Sequence, residues 1–356
     1  MKARIIIGAN YGDEGKGTVV ASYTKGSQGN VLNVLTNGGA QRGHSILTED
    51  GSMTFQHFGS GTYHGADNYY SRYYILNPIQ FVSEYERLIR KPKHIYRDKY
   101  CRWSTPYDSM ANLITEEQQN RHASCGMGIW NTIRRCDHMP ICMFDEFVSS
   151  ENPEKYLENV RAYYERSIDI PDNWKNIWSD SNVITHFIND CRFMSEHTEV
   201  VELKTLVHYD DVIFENGQGL LLTDTRKDTP DTTPSDTGIT YGRWLAQEMG
   251  IEDIAAHYVT RPYMTRHGDG HLMSQCNRQD ISADICEDRT NHYNEHQGEF
   301  RYGRLDIPDL KRRIQENAGN VKFTLEVTHC DEMDRIPEFK KEFGNDINTY
   351  DSPFIL

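Results

Sequence analysis

Residues 8–18 read GANYGDEGKGT; they follow the apolar run Arg4–Gly8 and lead into Thr18–Tyr23, which has the character of a first helical turn. A β-branched run that ends in glycine is the pattern of a buried strand. A strand, then Gly12, Gly15 and Gly17 grouped around Lys16, then a helix is how a chain turns its amides towards phosphate oxygens. The spacing is not that of a Walker loop: six residues separate Gly8 from Gly15, and Gly17 stands between Lys16 and Thr18. Asp13 and Glu14 inside such a cradle repel a phosphate unless a magnesium ion or a proton transfer uses them.

Working outward, Val31–Leu35 is a second apolar run, followed by NGGAQRGHS at 37–45. Its glycines, among them Gly43, permit close backbone approach, and His44 is a possible proton donor. Asp211–Phe214 reads as a strand running into ENGQGLLLTDT, where Gln218 lies between two glycines. A side-chain amide there can stabilise a developing oxyanion or bond a base edge. PDTTPSDTG at 230–238 suits an anion, or is a plain polar loop. His257–Thr260 and Val321–Val327 are further strands; Asn77–Arg90, Glu154–Ser167 and Ile307–Asn317 are helix candidates. Strands alternating with helices predict an α/β fold with a largely parallel sheet, and ligands in such folds bind where these clusters fall, beyond the carboxyl ends of the strands.

The chain has 356 residues and a net charge of −15, which repels nucleic-acid backbones and anionic membranes. No apolar run approaches the ~18–20 residues of a membrane span, and the opening MKARIIIGAN is too short in apolar character for a signal-peptide core. The eight cysteines form no C-x-x-C pair, so reduced thiols in a cytoplasmic protein are expected. His292 and His296 lack partners at ligand spacing, so zinc is not expected.

GDEGKG, then GG-x-x-x-GHS, G-Q-G-x-L-L, TTPSDT, YMTRHGDG at 263–270 and THCD at 328–331 resemble, in order, the motifs of the adenylosuccinate synthetases. The similarity runs from Met1 to about Pro353. It implies one P-loop-NTPase-like α/β domain over 1–356, with a central, mostly parallel sheet flanked by helices and helical insertions at about 77–200. It also implies a reaction: an NTP phosphorylates the 6-oxygen of a purine nucleoside monophosphate, and the amine of L-aspartate displaces that phosphate. Asp13 matches the base for ring nitrogen 1 and a magnesium contact, His44 the acid that assists phosphoryl transfer, and Lys16 the phosphate clamp. Gln218 matches the amide on the 6-oxyanion, and the Gly43 carbonyl a magnesium ligand. The implied nucleotide-binding set is Asn10, Gly12, Gly15, Lys16, Gly17, Thr18, Gln41, Ser124, Thr233, Arg266, Thr328, Asp331 and Ser352, with Asp331 reading the donor base as guanine. Arg134 or Arg135 would reach into a neighbouring subunit of a homodimer. Gln297, Gly298 and Arg301 would bind aspartate.

The departures from the family pattern are Asn10-Tyr11 for Gln-Trp, Gln41-Arg42 for Asn-Ala, Ala123-Ser124-Cys125-Gly126 for Thr-Thr-Gly-Arg, a single clear arginine in 297–303, and His329 for lysine. They cluster around the purine and aspartate pockets and leave Asp13 and His44 untouched. This pattern favours the same reaction on a different purine. The chain is then similar to the compact phage-type branch, 2-aminoadenylosuccinate synthetases, which join aspartate to dGMP for 2-aminoadenine DNA; such an enzyme works in the host cytoplasm. The alternative is IMP with GTP in AMP biosynthesis. A catalytically silent purine-nucleotide sensor is a minor third reading.

Overall fold

In strand β1 (Lys2–Gly8) the residues Ala3, Ile5, Ile6 and Ile7 are all fully buried. A strand covered on both faces belongs inside a parallel sheet, and β1 is at the heart of one. The computed structural model describes residues 1–48, 51–120, 124–223, 232–288, 291, 293 and 298–352. The strands that follow are β2 (Val31–Leu35), β3 (His44–Thr48), β4 (Gly51–Phe55), β5 (Asp67–Tyr70), β6 (Ile75–Leu76), β7 (Ile95–Arg97) and β8 (Arg102–Trp103). The rest are β9 (Glu199–Val200), β10 (Asp211–Gly219), β11 (Ile254–Thr260), β12 (Met264–His267), β13 (Gln275–Cys276), β14 (Phe300–Gly303), β15 (Lys322–Val327) and β16 (Ile347–Thr349). Nine of them form one sheet in the order β16-β15-β11-β1-β10-β2-β5-β7-β9, every pair parallel.

The two-residue period of the strands sorts the helices onto opposite faces. Ile6, Ile213 and Val259 face Val19 and Val20 of helix α1 (Lys16–Gly26). Ile5, Ile7, Phe214, Ala256 and Tyr258 face the other way, into the core shared with Leu245, Leu310 and Ile314. Residues 78–196 carry α2 (Pro78–Arg87), α3 (Pro106–Gln119), α4 (Ile129–His138), α5 (Phe144–Val148), α6 (Pro153–Glu165), α7 (Asp172–Ser179) and α8 (Ser181–Glu196) around a second aromatic-rich core. Later come α9 (Thr240–Glu248), α10 (Ile307–Ala318) and α11 (Ile336–Phe343). Starts are marked by local chemistry: Asn77 and Asp306 each accept a hydrogen bond from the backbone amide three residues on, and each is followed within two residues by proline.

One irregularity positions the site. Glu215 pairs with Ile6, but the next pairing joins Gly219 to Gly8, so β10 inserts extra residues where β1 ends. Gln218 sits in that bulge with φ 55°, and its side chain is turned out of the sheet pattern. The β1–α1 loop, the β2–β3 loop and this bulge meet at the carboxyl ends of three neighbouring strands. Among the described residues no helix is long and apolar enough to cross a membrane.

Candidate active site

The loop between β1 and α1 holds its shape through an internal carboxylate. Glu14 is buried; its Oε1 accepts from the amides of Asn10 and Gly12, both at 2.9 Å, and its Oε2 from Lys16 Nζ at 3.1 Å. The repulsion expected of Asp13 and Glu14 together is therefore relieved: Glu14 turns inward as the loop's own counter-charge, and Asp13 is left half-buried beside it. Gly8 permits this, since a Cβ there would lie 2.4 Å from Glu14 Oε2 and 2.9 Å from Lys16 Nζ.

The ends of other strands buttress the loop. Asn10 donates to Thr260 Oγ1 at 3.0 Å and accepts from Arg313 at 2.7 Å. Arg266 lies over the Tyr11 ring, 4.9 Å from its centroid, and Arg261 Nε donates to the Asp13 carbonyl at 2.7 Å. Thr328 Oγ1 donates to the Glu14 carbonyl at 2.6 Å. Asp13 itself has φ 60°, a left-handed conformation uncommon outside glycine. Burial raises its carboxyl from the ordinary value, against the pull of His267, Lys16 and Arg261.

His44 opens β3 beside this loop; a Cβ on Gly17 would meet the His44 carbonyl carbon at 3.1 Å and the Ser45 carbonyl oxygen at 2.6 Å. Its Nδ1 lies 2.5 Å from Glu215 Oε1. Glu215 is fully buried, and also accepts from the Ser60 amide at 3.0 Å and the Ser60 hydroxyl at 2.6 Å. Arg42, equally buried, stands 3.7 Å from it. Burial alone pushes the Glu215 carboxyl up, but Arg42, His44 and Ser60 outweigh it and hold it at about 2. Burial, helped by Arg42 and Lys16, lowers His44 to about 4 despite Glu215. At neutral pH the pair is a neutral imidazole donating through Nδ1–H to a carboxylate. Glu215 has no role in the sequence reading; the available signal is an acid inside the apolar run VIFE, which must find a partner if that run is a strand.

Among the described residues, the buried polar atoms near the loop without a hydrogen-bond partner include Thr18 Oγ1, Gln41 Oε1 and Gln218 Oε1. Gly38 brings the last two side chains together, since a Cβ there would be 3.0 Å from Gln41 Nε2 and 3.2 Å from Gln218 Oε1. Unsatisfied polar atoms at a strand-end cleft mark where a polar ligand docks. Among the described residues no group of three or more His, Cys, Asp or Glu is placed to hold a metal. Asp13, the carbonyl of the exposed Gly43 and the Thr18 hydroxyl, unpaired among the described residues, are all hard oxygen donors. They fit magnesium, which takes most of its remaining ligands from water and phosphate.

The other expected residues are more dispersed. Arg135 is buried, clamped by Asp108 at 2.8 and 3.0 Å and by the Trp103 carbonyl at 2.8 Å. It is thus out of reach of a neighbouring subunit, and Arg134, exposed beside the Trp130 ring, is the one left available. Ser124 accepts from Asn112 at 3.0 Å, and the buried Thr233 bonds the Leu222 carbonyl at 2.8 Å. Asp331, exposed, accepts from the Ser352 amide at 2.5 Å, so those two meet. His329 is buried with φ 57°. Arg301 is engaged by the carbonyls of Gly268 and Gly270, and Gly298 is buried with φ 69°. Gln297, with His292, His296 and residues 224–231, lies outside the described residues.

The family model of adenylosuccinate synthetase matches residues 5–346. The adenylosuccinate synthetase of Buchnera aphidicola is 24% identical over 356 residues, covering 93% of this chain and 79% of that protein. Two solved structures share the fold. One is the fully ligated adenylosuccinate synthetase of Plasmodium falciparum, with TM-score 0.69, 18% identity and coverage of 94% and 78%. The other is the succinoaminodeoxyadenylate synthetase of cyanophage S-2L bound to dGMP and dATP, with TM-score 0.68, 13% identity and coverage of 98% and 91%.

Proposed function

The chain belongs to the adenylosuccinate synthetase family and is a carbon–nitrogen ligase acting on a purine nucleotide and aspartate; from that premise we propose that its acceptor is IMP and its donor GTP. The observation that carries this reading is the assembly, at one strand-end cleft, of a carboxylate, an ammonium, a His–Glu pair and an unpaired amide. The relatives support the choice of IMP, since the product their name gives is the aspartate adduct of IMP.

A lactam oxygen is a poor leaving group, so it has to be activated before an amine can displace it. Asp13 removes the proton on ring nitrogen 1, which puts negative charge on the 6-oxygen and makes it nucleophilic. Its carboxyl, raised by burial, is the stronger base for that. Gln218 offers its side-chain amide to the charged oxygen. Lys16 and the amides of the β1–α1 loop hold the moving phosphoryl group. His44 is neutral in the free site; an arriving polyanion favours its imidazolium, and Glu215 is already at Nδ1 to stabilise it. Asp13 and the Gly43 carbonyl would hold magnesium, which would supply positive charge against that of the phosphates. The amine of aspartate then bonds to carbon 6, the carbon–oxygen bond breaks so that the 6-oxygen leaves as inorganic phosphate, and the amine gives up a proton. Arg134 is the side chain this reading places at a homodimer interface.

A second reading, dGMP as acceptor, is favoured by one observation: Gln41 Oε1 is a buried acceptor with no donor among the described residues. IMP has only a C–H at position 2, whereas a 2-amino group would satisfy that oxygen, a difference of about 1–3 kcal/mol. The protein is incubated with magnesium, aspartate and GTP or ATP, and in turn with IMP, GMP and dGMP, and the succinylated product is read by mass. Faster turnover of IMP supports the proposal. A tenfold preference for dGMP replaces it with the second reading, and nucleotide binding without any product leaves a sensor.

A further inference from the structure

We propose that Arg261 is a positioning residue for the base of this reaction: it holds Asp13 by its main chain and ties that hold to the loop that carries Asp331. The inference rests on Asp13 being the base. Arg261 is the first residue past β11, and its buried side chain reaches the β1–α1 loop. Each part of the guanidinium is used. Nε donates to the Asp13 carbonyl at 2.7 Å, Nη2 to Asp288 Oδ2 at 2.7 Å, and Nη1 to Tyr263 Oη at 3.3 Å. The rings of Tyr263 and Phe300 lie 5.8 and 5.6 Å from its carbon. The guanidinium is thus fixed on several sides before it meets Asp13, which is what separates a positioning contact from an incidental one.

Asp13 needs such a hold. Its backbone is left-handed, where a side chain with a Cβ is disfavoured, and it is flanked by Gly12 at φ 100° and Gly15 at φ 90°. A loop of that kind relaxes easily, and a turn of the Asp13 peptide would swing its carboxylate away from a bound purine. The next carbonyl, that of Glu14, is held in the same way by Thr328 at the end of β15. The far end of the Arg261 cluster leads to the donor side: Tyr263 donates its hydroxyl to Glu332, which follows Asp331 directly. Disturbing either end should therefore misplace the base without removing a substrate contact.

Turnover is measured for the wild type, Arg261→Lys, Asp13→Asn, Tyr263→Phe, and the first and third of these variants combined with Asp13→Asn. Lysine has one compact ammonium and cannot serve the carbonyl, Asp288 and Tyr263 together. The expected result for Arg261→Lys is a fall in kcat on the order of 10²-fold with KM for both nucleotides unchanged. Tyr263→Phe should show a smaller fall of the same kind. In the Asp13→Asn background both changes should have no further effect, because the residue they position no longer acts. Losses that multiply in the double variants, a loss carried by KM, or unfolding of Arg261→Lys with normal kcat in Tyr263→Phe would overturn the proposal. A wild type that forms no succinylated purine would defeat the reading of the reaction and not this assignment alone.

Discussion

Glu215 shows what one buried side chain contributes and why it was hidden. Glu215→Gln keeps the volume but removes the charge that stabilises a protonated His44, and a glutamine can present its amide NH₂ to Nδ1 and force the other tautomer. We expect kcat to fall on the order of 10²–10⁴-fold. Arg42 would lose the carboxylate 3.7 Å away in a fully buried position, so the melting temperature should fall as well, by the few degrees that about 3–5 kcal/mol brings in a chain of this size or more. Unchanged turnover would remove the His–Glu pair from the mechanism. Asp13, Lys16, His44 and Gln218 stand out in the sequence as candidates because each sits beside glycines after an apolar run. Glu14, Glu215 and Arg261 were not, because their parts are defined by partners 2 to 248 residues away. Spacing along the chain carries no trace of such pairs.

At the level of the elements, the first turn of α1 is packed tightly against β3. The Gly17 position lies against the Ser45 carbonyl of β3, where a Cβ would stand at 2.6 Å. Backbone cannot yield as a side-chain tip does, so Gly17→Ala must push the start of α1 away from β3 and open the loop over Lys16. The expected outcome is a loss of GTP affinity of at least tenfold, about 1.4 kcal/mol, by calorimetric titration, with the far-ultraviolet circular dichroism preserved. Affinity equal to the wild type would show that the loop is not a phosphate cradle. The central strands β1, β2, β10, β11 and β15 were readable as apolar runs. Strand β5 was not, since its sequence is Asp-Asn-Tyr-Tyr. Those polar residues are buried because Tyr209 donates to Asp67 at 2.7 Å and the Gly59 amide donates to Asn68 at 2.7 Å. Most helices of 78–196 escaped a reading by periodicity, their aromatic faces being shared among several neighbours.

For the molecule as a whole, stability should fall in mild acid. His57 is fully buried between the Tyr70 hydroxyl and the Asn77 amide, which donates to its Nε2. Burial first, and then Arg42, lowers it to about 3 from an ordinary 6.5. The unfolded chain therefore takes up a proton that the folded one refuses, so this contribution is complete above pH 6.5 and is lost as the pH falls towards 3. His44 acts in the same direction down to about 4, and Glu215 between 4.5 and about 2. From pH 6 to pH 4.5, His57 alone accounts for roughly 2 kcal/mol. The urea midpoint should drop over that interval, and drop less in His57→Gln, which is weaker at pH 7 but has nothing there to titrate. Equal slopes would show that His57 is not the sensitive group. The order of the large sheet has a consequence for the making of the protein. Strand β1 is among the first segments synthesised, yet its two neighbours begin at residues 211 and 254. At ~5–20 residues per second, Ile5, Ile6 and Ile7 wait on the order of 10–50 s on the ribosome before both flanks exist. Nascent chains stopped before residue 254 should bind a general holdase chaperone and resist release, whereas chains carried past 327 should let it go.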